Sequence, residues 1–269
     1  MNTLPRRDWL KLTGVAALGF PWLAHAAPDL RAKAKKNLRL GVFMGVYAGL
    51  PLAEAARRIA DDGFHGVVFE NGFADVRFDP WAPDWDKARQ ISSTLAKHHL
   101  KVVGLYGYYN VVDPDPARRK RGEQRMQMLI ENWRRFDCPI ITTETGTLNA
   151  QSEWAESPEN TAEPAYQACR AALEKLVQAA GKSGAVVTIE PYWRNVINSI
   201  ARAERVMRDV PGLKLTMDPC NYFRKEELPR MEPMLREMFR SLGKKIVLAH
   251  AKDVKASADG TDLPAAGTG

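Results

Sequence analysis

Three ionisable side chains stand at the ends of apolar runs: Glu190 after Ala185–Ile189, Asp218 after Leu213–Met217, and His250 after Lys245–Ala249. The intervals between them are 28 residues (218 − 190) and 32 residues (250 − 218). One strand–helix unit takes about 30 residues or slightly more. Side chains at the C-terminal ends of successive parallel strands meet at one mouth of a barrel. Two carboxylates and an imidazole gathered there form a donor set suited to a divalent cation.

The flanking sequence supplies the elements needed to place them. Strands are expected at 38–44, 66–70, 101–106, 139–144, 185–190, 213–218 and 245–250, and helices at 51–61, 85–98, 116–136, 163–181, 199–209 and 226–242. Gly63, Gly181, Gly212 and Gly243 fall where helices should stop. The strand segments are rich in Val, Ile and Leu without polar alternation, as in a parallel sheet covered on both faces. Seven such strands alternating with helices predict an α/β fold, a (β/α)8 TIM barrel. No Gly-x-Gly-x-x-Gly follows the first strand, so nothing points to a dinucleotide. Only 19 residues (269 − 250) follow His250, so the sequence predicts a barrel that stops after its seventh strand. An oligomer in which a neighbouring chain completes the site is one expectation from that shortfall.

The N-terminus reads as an address rather than as fold. Arg6-Arg7 precedes an apolar stretch from Leu12 to Leu23, and Ala24-His25-Ala26 supplies a small–x–small cleavage pattern. Residues 1–26 are therefore expected to be a twin-arginine signal peptide, 27–37 a basic linker and 38–269 the barrel. Cleavage after Ala26 would leave 243 residues (269 − 26) in a periplasmic or secreted protein. No later stretch approaches the roughly 20 apolar residues of a membrane span.

The net charge of +7 is concentrated in the basic runs 31–36 and 118–121. No aromatic stacking pattern accompanies them, which argues against a nucleic-acid partner. Cys138, Cys169 and Cys220 are odd in number and lack metal-type spacing.

The elements Glu190-Pro, Met217-Asp218-Pro-Cys-Asn221 and His250-Ala-Lys252-Asp253 together resemble the xylose isomerase-like TIM-barrel superfamily, in particular its sugar phosphate isomerase/epimerase proteins. The resemblance covers roughly residues 38–269. It implies one divalent metal ion (Mn, Mg, Co or Zn) held by Glu190, Asp218 and His250, with a second Glu from an eighth strand. It also implies a small carbohydrate substrate and proton abstraction beside a carbonyl, with Glu190 as one of two acid–base groups. Asn221 departs from the pattern, because several family epimerases carry a His there. An amide can bind a hydroxyl but cannot relay a proton.

Other substrate-binding candidates are Lys252, Glu144 at the end of the fourth strand, Tyr106 after the third, Glu70 after the second, and Trp81 in the long loop 71–84. His65, His98 and His99 precede strands or end a helix and are left out of the site. The same residues suit a dehydratase or lyase, which begins with the same proton abstraction. A sugar-binding protein without turnover also fits.

Overall fold

The computed structural model describes residues 32–33, 36–258 and 260–268. The expected signal segment 1–26 lies outside them, as does most of the linker 27–37. Seven parallel strands pair in chain order: β1 (Gly41–Phe43), β2 (Gly66–Phe69), β3 (Lys101–Tyr106), β4 (Ile140–Thr143), β5 (Val186–Ile189), β6 (Lys214–Met217) and β7 (Ile246–Ala249). The connecting helices are α1 (Leu52–Asp61), α2 (Trp85–Lys97), α3 (Pro116–Asn132), α4 (Glu163–Ser183), α5 (Ile200–Asp209) and α6 (Met231–Leu242). The fold is a TIM barrel of which the described residues supply seven strands.

Local chemistry explains most of these boundaries. In α1, Leu52, Ala55, Ala56 and Ile59 recur at helical spacing and are the residues it buries. Asp84 caps α2 by accepting from the N–H groups of Asp86 and Lys87, and Asp115 caps α3 just before Pro116. Gly184, with φ of 81°, ends α4 in the left-handed conformation that glycine adopts without cost.

Sheet curvature can be read from three hydroxyls. Thr142, Thr188 and Thr216 lie on β4, β5 and β6, and their Oγ1 atoms form a closed triangle with sides of 2.9, 2.7 and 3.0 Å. In a flat sheet, strands two places apart stand roughly 9.5 Å apart. The direct contact of Thr142 with Thr216 therefore requires a tightly curved sheet around a shared interior. Burying these hydroxyls is cheap because each finds a partner in the other two.

Several boundaries differ from the sequence expectation. Gly181 lies inside α4, which runs on to Ser183, because Gly184 is the residue that takes the positive φ. The segment expected as one helix over 226–242 divides into a 3-10 turn, Lys225–Arg230, and α6, with Pro229 inside the turn. The helix expected to reach Phe136 gives way at Asn132 to a 3-10 turn, Trp133–Phe136. No element was expected beyond β7, yet β8 (Lys255–Ser257) and β9 (Gly260–Asp262) form an antiparallel hairpin there. Among the described residues, no helix is long and apolar enough to cross a membrane. Cys138, Cys169 and Cys220 are all buried and free.

Candidate active site

The C-terminal ends of β3 to β7 open into a cavity of about 970 Å³. Glu190 follows β5, Asp218 follows β6 and His250 follows β7, and one ligand atom from each lies within 4.8 Å of the others. His250 Nδ1 is 3.1 Å from Glu190 Oε1 and 3.8 Å from Asp218 Oδ2. Asp218 is fully buried, and Glu190 is 6% exposed. Continuous apolar strands set these positions, so each polar side chain emerges at the first residue past the ladder.

Further residues hold the carboxylates in place. The Asn221 amide donates to Glu190 Oε1 at 2.8 Å, and the Tyr108 hydroxyl donates to Glu190 Oε2. Lys252 places its ammonium against Asp218 Oδ2 and 4.0 Å from Glu190 Oε1. Asp218 Oδ1 accepts from the Cys220 N–H at 3.1 Å. Phe43, at the end of β1, packs edge-on against the His250 ring with centroids 5.2 Å apart.

Electrostatics follow from this arrangement. Burial alone would lower the His250 pKa, but hydrogen bonds and charge from Asp218 and Glu190 outweigh it and push the value up to about 9. Burial also opposes the Lys252 ammonium, and Asp218 again reverses the shift, so its pKa stands above the ordinary value. For Asp218, burial raises the pKa, while His250 and Lys252 more than offset it, so the carboxyl is held below the usual range. Burial and Glu190 push Tyr108 well above the ordinary phenol, which keeps it a proton donor. Glu144 differs from Asp218. Burial raises its pKa to about 8, against a smaller opposing effect of the Asn195 amide.

The donor set fits a divalent cation. His250 Nε2 is buried without a hydrogen-bond partner while Nδ1 faces the two carboxylates, and Asp218 Oδ2 has no aligned hydrogen-bond donor although the Lys252 ammonium touches it. Two hard carboxylates and an imidazole suit Mg, Mn, Co or Zn.

Of the substrate-binding candidates, Asn221, Lys252, Glu144 and Tyr106 line the main cavity. Glu144 follows β4, where Gly146 turns with a φ of 70°; a Cβ at that glycine would run into the Asn110 side chain. Glu70 and Trp81 do not line the main cavity. Glu70 accepts from the Gly45 N–H at 2.6 Å and borders a smaller recess of about 140 Å³. Trp81 is 50% exposed and lies against the guanidinium groups of Arg121 and Arg125. Glu70 directly follows β2, and Trp81 lies in the loop between β2 and α2.

Sequence reasoning missed the rim. Arg194 and Arg224 both lie over Trp193, with Cζ atoms 4.5 and 4.6 Å from its ring. Arg224 also pairs with Glu156 at 2.8 Å, and Lys225 Nζ donates to the carbonyls of Ser257 and Ala258 at 2.6 and 3.0 Å. These contacts tie the β8–β9 hairpin and the loops after β4, β5 and β6 into one wall. The aromatic-basic run 192–194 directly after Glu190 was the available signal, as was Tyr108 just past the end of β3.

Solved structures share this architecture at low identity. A probable 3-DHS dehydratase from Bacillus anthracis matches with a TM-score of 0.63 at 12% identity, covering 82% of this chain and 75% of its own. A 3-keto-D-glucoside 4-epimerase from E. coli in its apo form gives 0.61 at 17%, covering 81% and 80%. A xylose isomerase-like TIM barrel protein from Mycobacterium smegmatis in complex with magnesium gives 0.63 at 15%, covering 85% and 81%. No curated protein sequence matches the chain. Residues 56–266 match the xylose isomerase-like TIM barrel family as a whole, and the chain belongs to that family.

Proposed function

We propose that the protein is a divalent-metal-dependent sugar isomerase or epimerase that works by proton abstraction next to a carbonyl. The observation that carries this reading is the convergence of Glu190, Asp218 and His250 at one mouth, above a cavity large enough for a small carbohydrate. The magnesium complex and the keto-glucoside epimerase among the structural neighbours support it.

Glu190, Asp218 and His250 would hold the metal. Held there, a divalent ion would supply Lewis-acid polarisation of a sugar carbonyl and its adjacent hydroxyl. Glu190 is the base that removes the proton beside the carbonyl, with Tyr108 and Asn221 fixing the direction of its two oxygens. Lys252 contributes positive charge where the enolate oxygen develops. Glu144 keeps its proton up to about pH 8, so it can return a proton from its own side of the cavity. Asn221 and Tyr106 offer hydrogen bonds to substrate hydroxyls.

The same protonated Glu144 favours a second reading. A neutral carboxyl beside the base can protonate a departing hydroxyl, which is what a dehydratase or lyase needs. The probable dehydratase among the neighbours has the same fold. Twin-arginine export to the periplasm and a homo-oligomeric state complete the proposal.

The test is solvent deuterium uptake beside the carbonyl, followed by NMR on metal-loaded protein with a panel of keto sugars. Glu190→Gln should lower the exchange rate roughly 10²–10⁴-fold, and chelation should abolish it until metal is restored. Exchange that survives in Glu190→Gln sinks the mechanism. Sugar binding with no exchange in the wild type replaces it with a binding role. Loss of water from the product selects elimination.

A further inference from the structure

A second recess of about 300 Å³ adjoins the main cavity on the β3 side. Its wall is one face of α3, where Arg118, Arg121 and Arg125 recur at spacings of 3 and 4 residues. Arg118 is satisfied: it pairs with both oxygens of Asp113, at 2.9 and 2.8 Å. Arg121 and Arg125 are not. Among the described residues, neither donates a hydrogen bond or joins an ion pair, and Arg125 Nε is buried without a partner. Both guanidinium groups lie against Trp81, with Cζ atoms 5.3 and 5.7 Å from its ring. Arg125 also lies 5.7 Å from the Tyr106 ring. The acid bordering this recess, Glu153, is exposed and pairs with neither arginine.

Two cations on one aromatic ring repel each other, and the half-buried position of Arg125 weakens the screening that water would provide. Each guanidinium offers a planar fork of donors that matches carboxylate or phosphate oxygens in pairs. Tyr106 and Tyr108 line this recess and the main cavity alike. An arm of a molecule in the main cavity can therefore pass over these two rings and reach the guanidinium pair.

We propose that the Arg121–Arg125 recess binds an oxyanion, a carboxylate or phosphate carried by the sugar that occupies the main cavity. The anion site stands on its own geometry, whereas its link to a sugar rests on the proposed function above. This makes the substrate an acidic sugar derivative and gives Trp81 the task of holding the guanidinium pair together.

The experiment is calorimetric titration of the full chain with inorganic phosphate, D-glucuronate, D-glucose 6-phosphate and D-glucose. An acidic sugar should bind roughly tenfold or more tightly than D-glucose. Arg125→Gln should erase that advantage while leaving D-glucose unaffected. The acidic sugar with the larger loss identifies the group as carboxylate or phosphate. Inorganic phosphate tests the recess without the sugar reading. Phosphate binding that disappears in Arg125→Gln, with no sugar bound at all, supports the recess and sinks the sugar assignment. Equal affinity for charged and neutral sugars in the wild type, without phosphate binding, overturns the proposal, as does an Arg125→Gln protein that keeps the full advantage. Should Arg125→Gln fail to fold, Arg121→Gln, at an exposed position, carries the same test.

Discussion

The central strands β4 to β6 and the edge strands β1 and β7 serve the same mouth under different constraints. In β4, β5 and β6 the last three residues are buried, and their threonines close the hydroxyl triangle. In β7, half-buried and exposed positions alternate, with Val247 40% exposed, and in β1 Gly41 is exposed while Val42 and Phe43 are half-buried. Glu190 and Asp218 are thus fixed by strands paired on both sides. His250 leaves a strand paired on one side, and its ring is braced across the gap by Phe43. Two donors are held by strands paired on both sides, and the third leans on the Phe43 ring and on the two carboxylates themselves.

That difference can be tested by substitution. Asp218→Ala strikes the rigid region hardest, because it leaves the His250 and Lys252 charges with Glu190 as their one remaining common partner. Lys252 retains some solvent, so the loss should be about 3 kcal/mol by denaturant unfolding, near the low end for a broken buried pair. A loss below that of an ordinary surface change would show that solvent already compensates these charges.

Glu144, just past the central strand β4, gives a pH signature. Its folded pKa of about 8 lies above the ordinary 4.5, so between those values the folded state keeps a proton that the unfolded chain has released. Stability contributed by the protonated form is complete below pH 4.5 and falls as pH rises toward 8, at up to about 1.4 kcal/mol per pH unit. Glu144→Gln should flatten that slope in unfolding curves measured at pH 5, 6.5 and 8. Parallel curves for the two proteins would place the Glu144 carboxyl in water.

Phe43→Ala tests the braced region. It should cost about 1 kcal/mol from the ring pair, and weaken metal binding by more than it lowers the rate at saturating metal. Metal titration followed by activity separates the two effects. An unchanged metal affinity would mean that β7 and the two carboxylates orient His250 without the ring. Smallest of all, Val247→Lys on the exposed side of β7 should stay within about 0.5 kcal/mol of the wild type in thermal unfolding. A larger loss would show that this edge is covered in solution.

Seven strands and six helices were legible because a parallel sheet demands apolar runs, and a helix demands a stripe at its own period. Glu190, Asp218 and His250 were legible for the same reason, each being the first polar residue after such a run. The rim was not. Trp193, Arg194 and Arg224 are aromatic or charged residues in loops, where no periodicity marks which side chains meet. The hairpin was hidden in a short tail without alternation, and Pro229 broke a helix whose apolar spacing continues through it. Gly181 and Gly184 were equally good stop signals, and only the positive φ at Gly184 separates them.

By itself, the sequence determined the order of the elements, the family and which ionisable side chains end the strands, since these depend on local pattern and covalent spacing. Only the tertiary structure decided that Glu70 and Trp81 stay out of the main cavity's lining, that Tyr108 and Asn221 clamp Glu190, and that Arg121 and Arg125 face a common recess. Those outcomes depend on how tightly the sheet curves and on where loops from distant parts of the chain come together. That geometry arises from contacts across the whole barrel and leaves no mark in any short stretch of sequence.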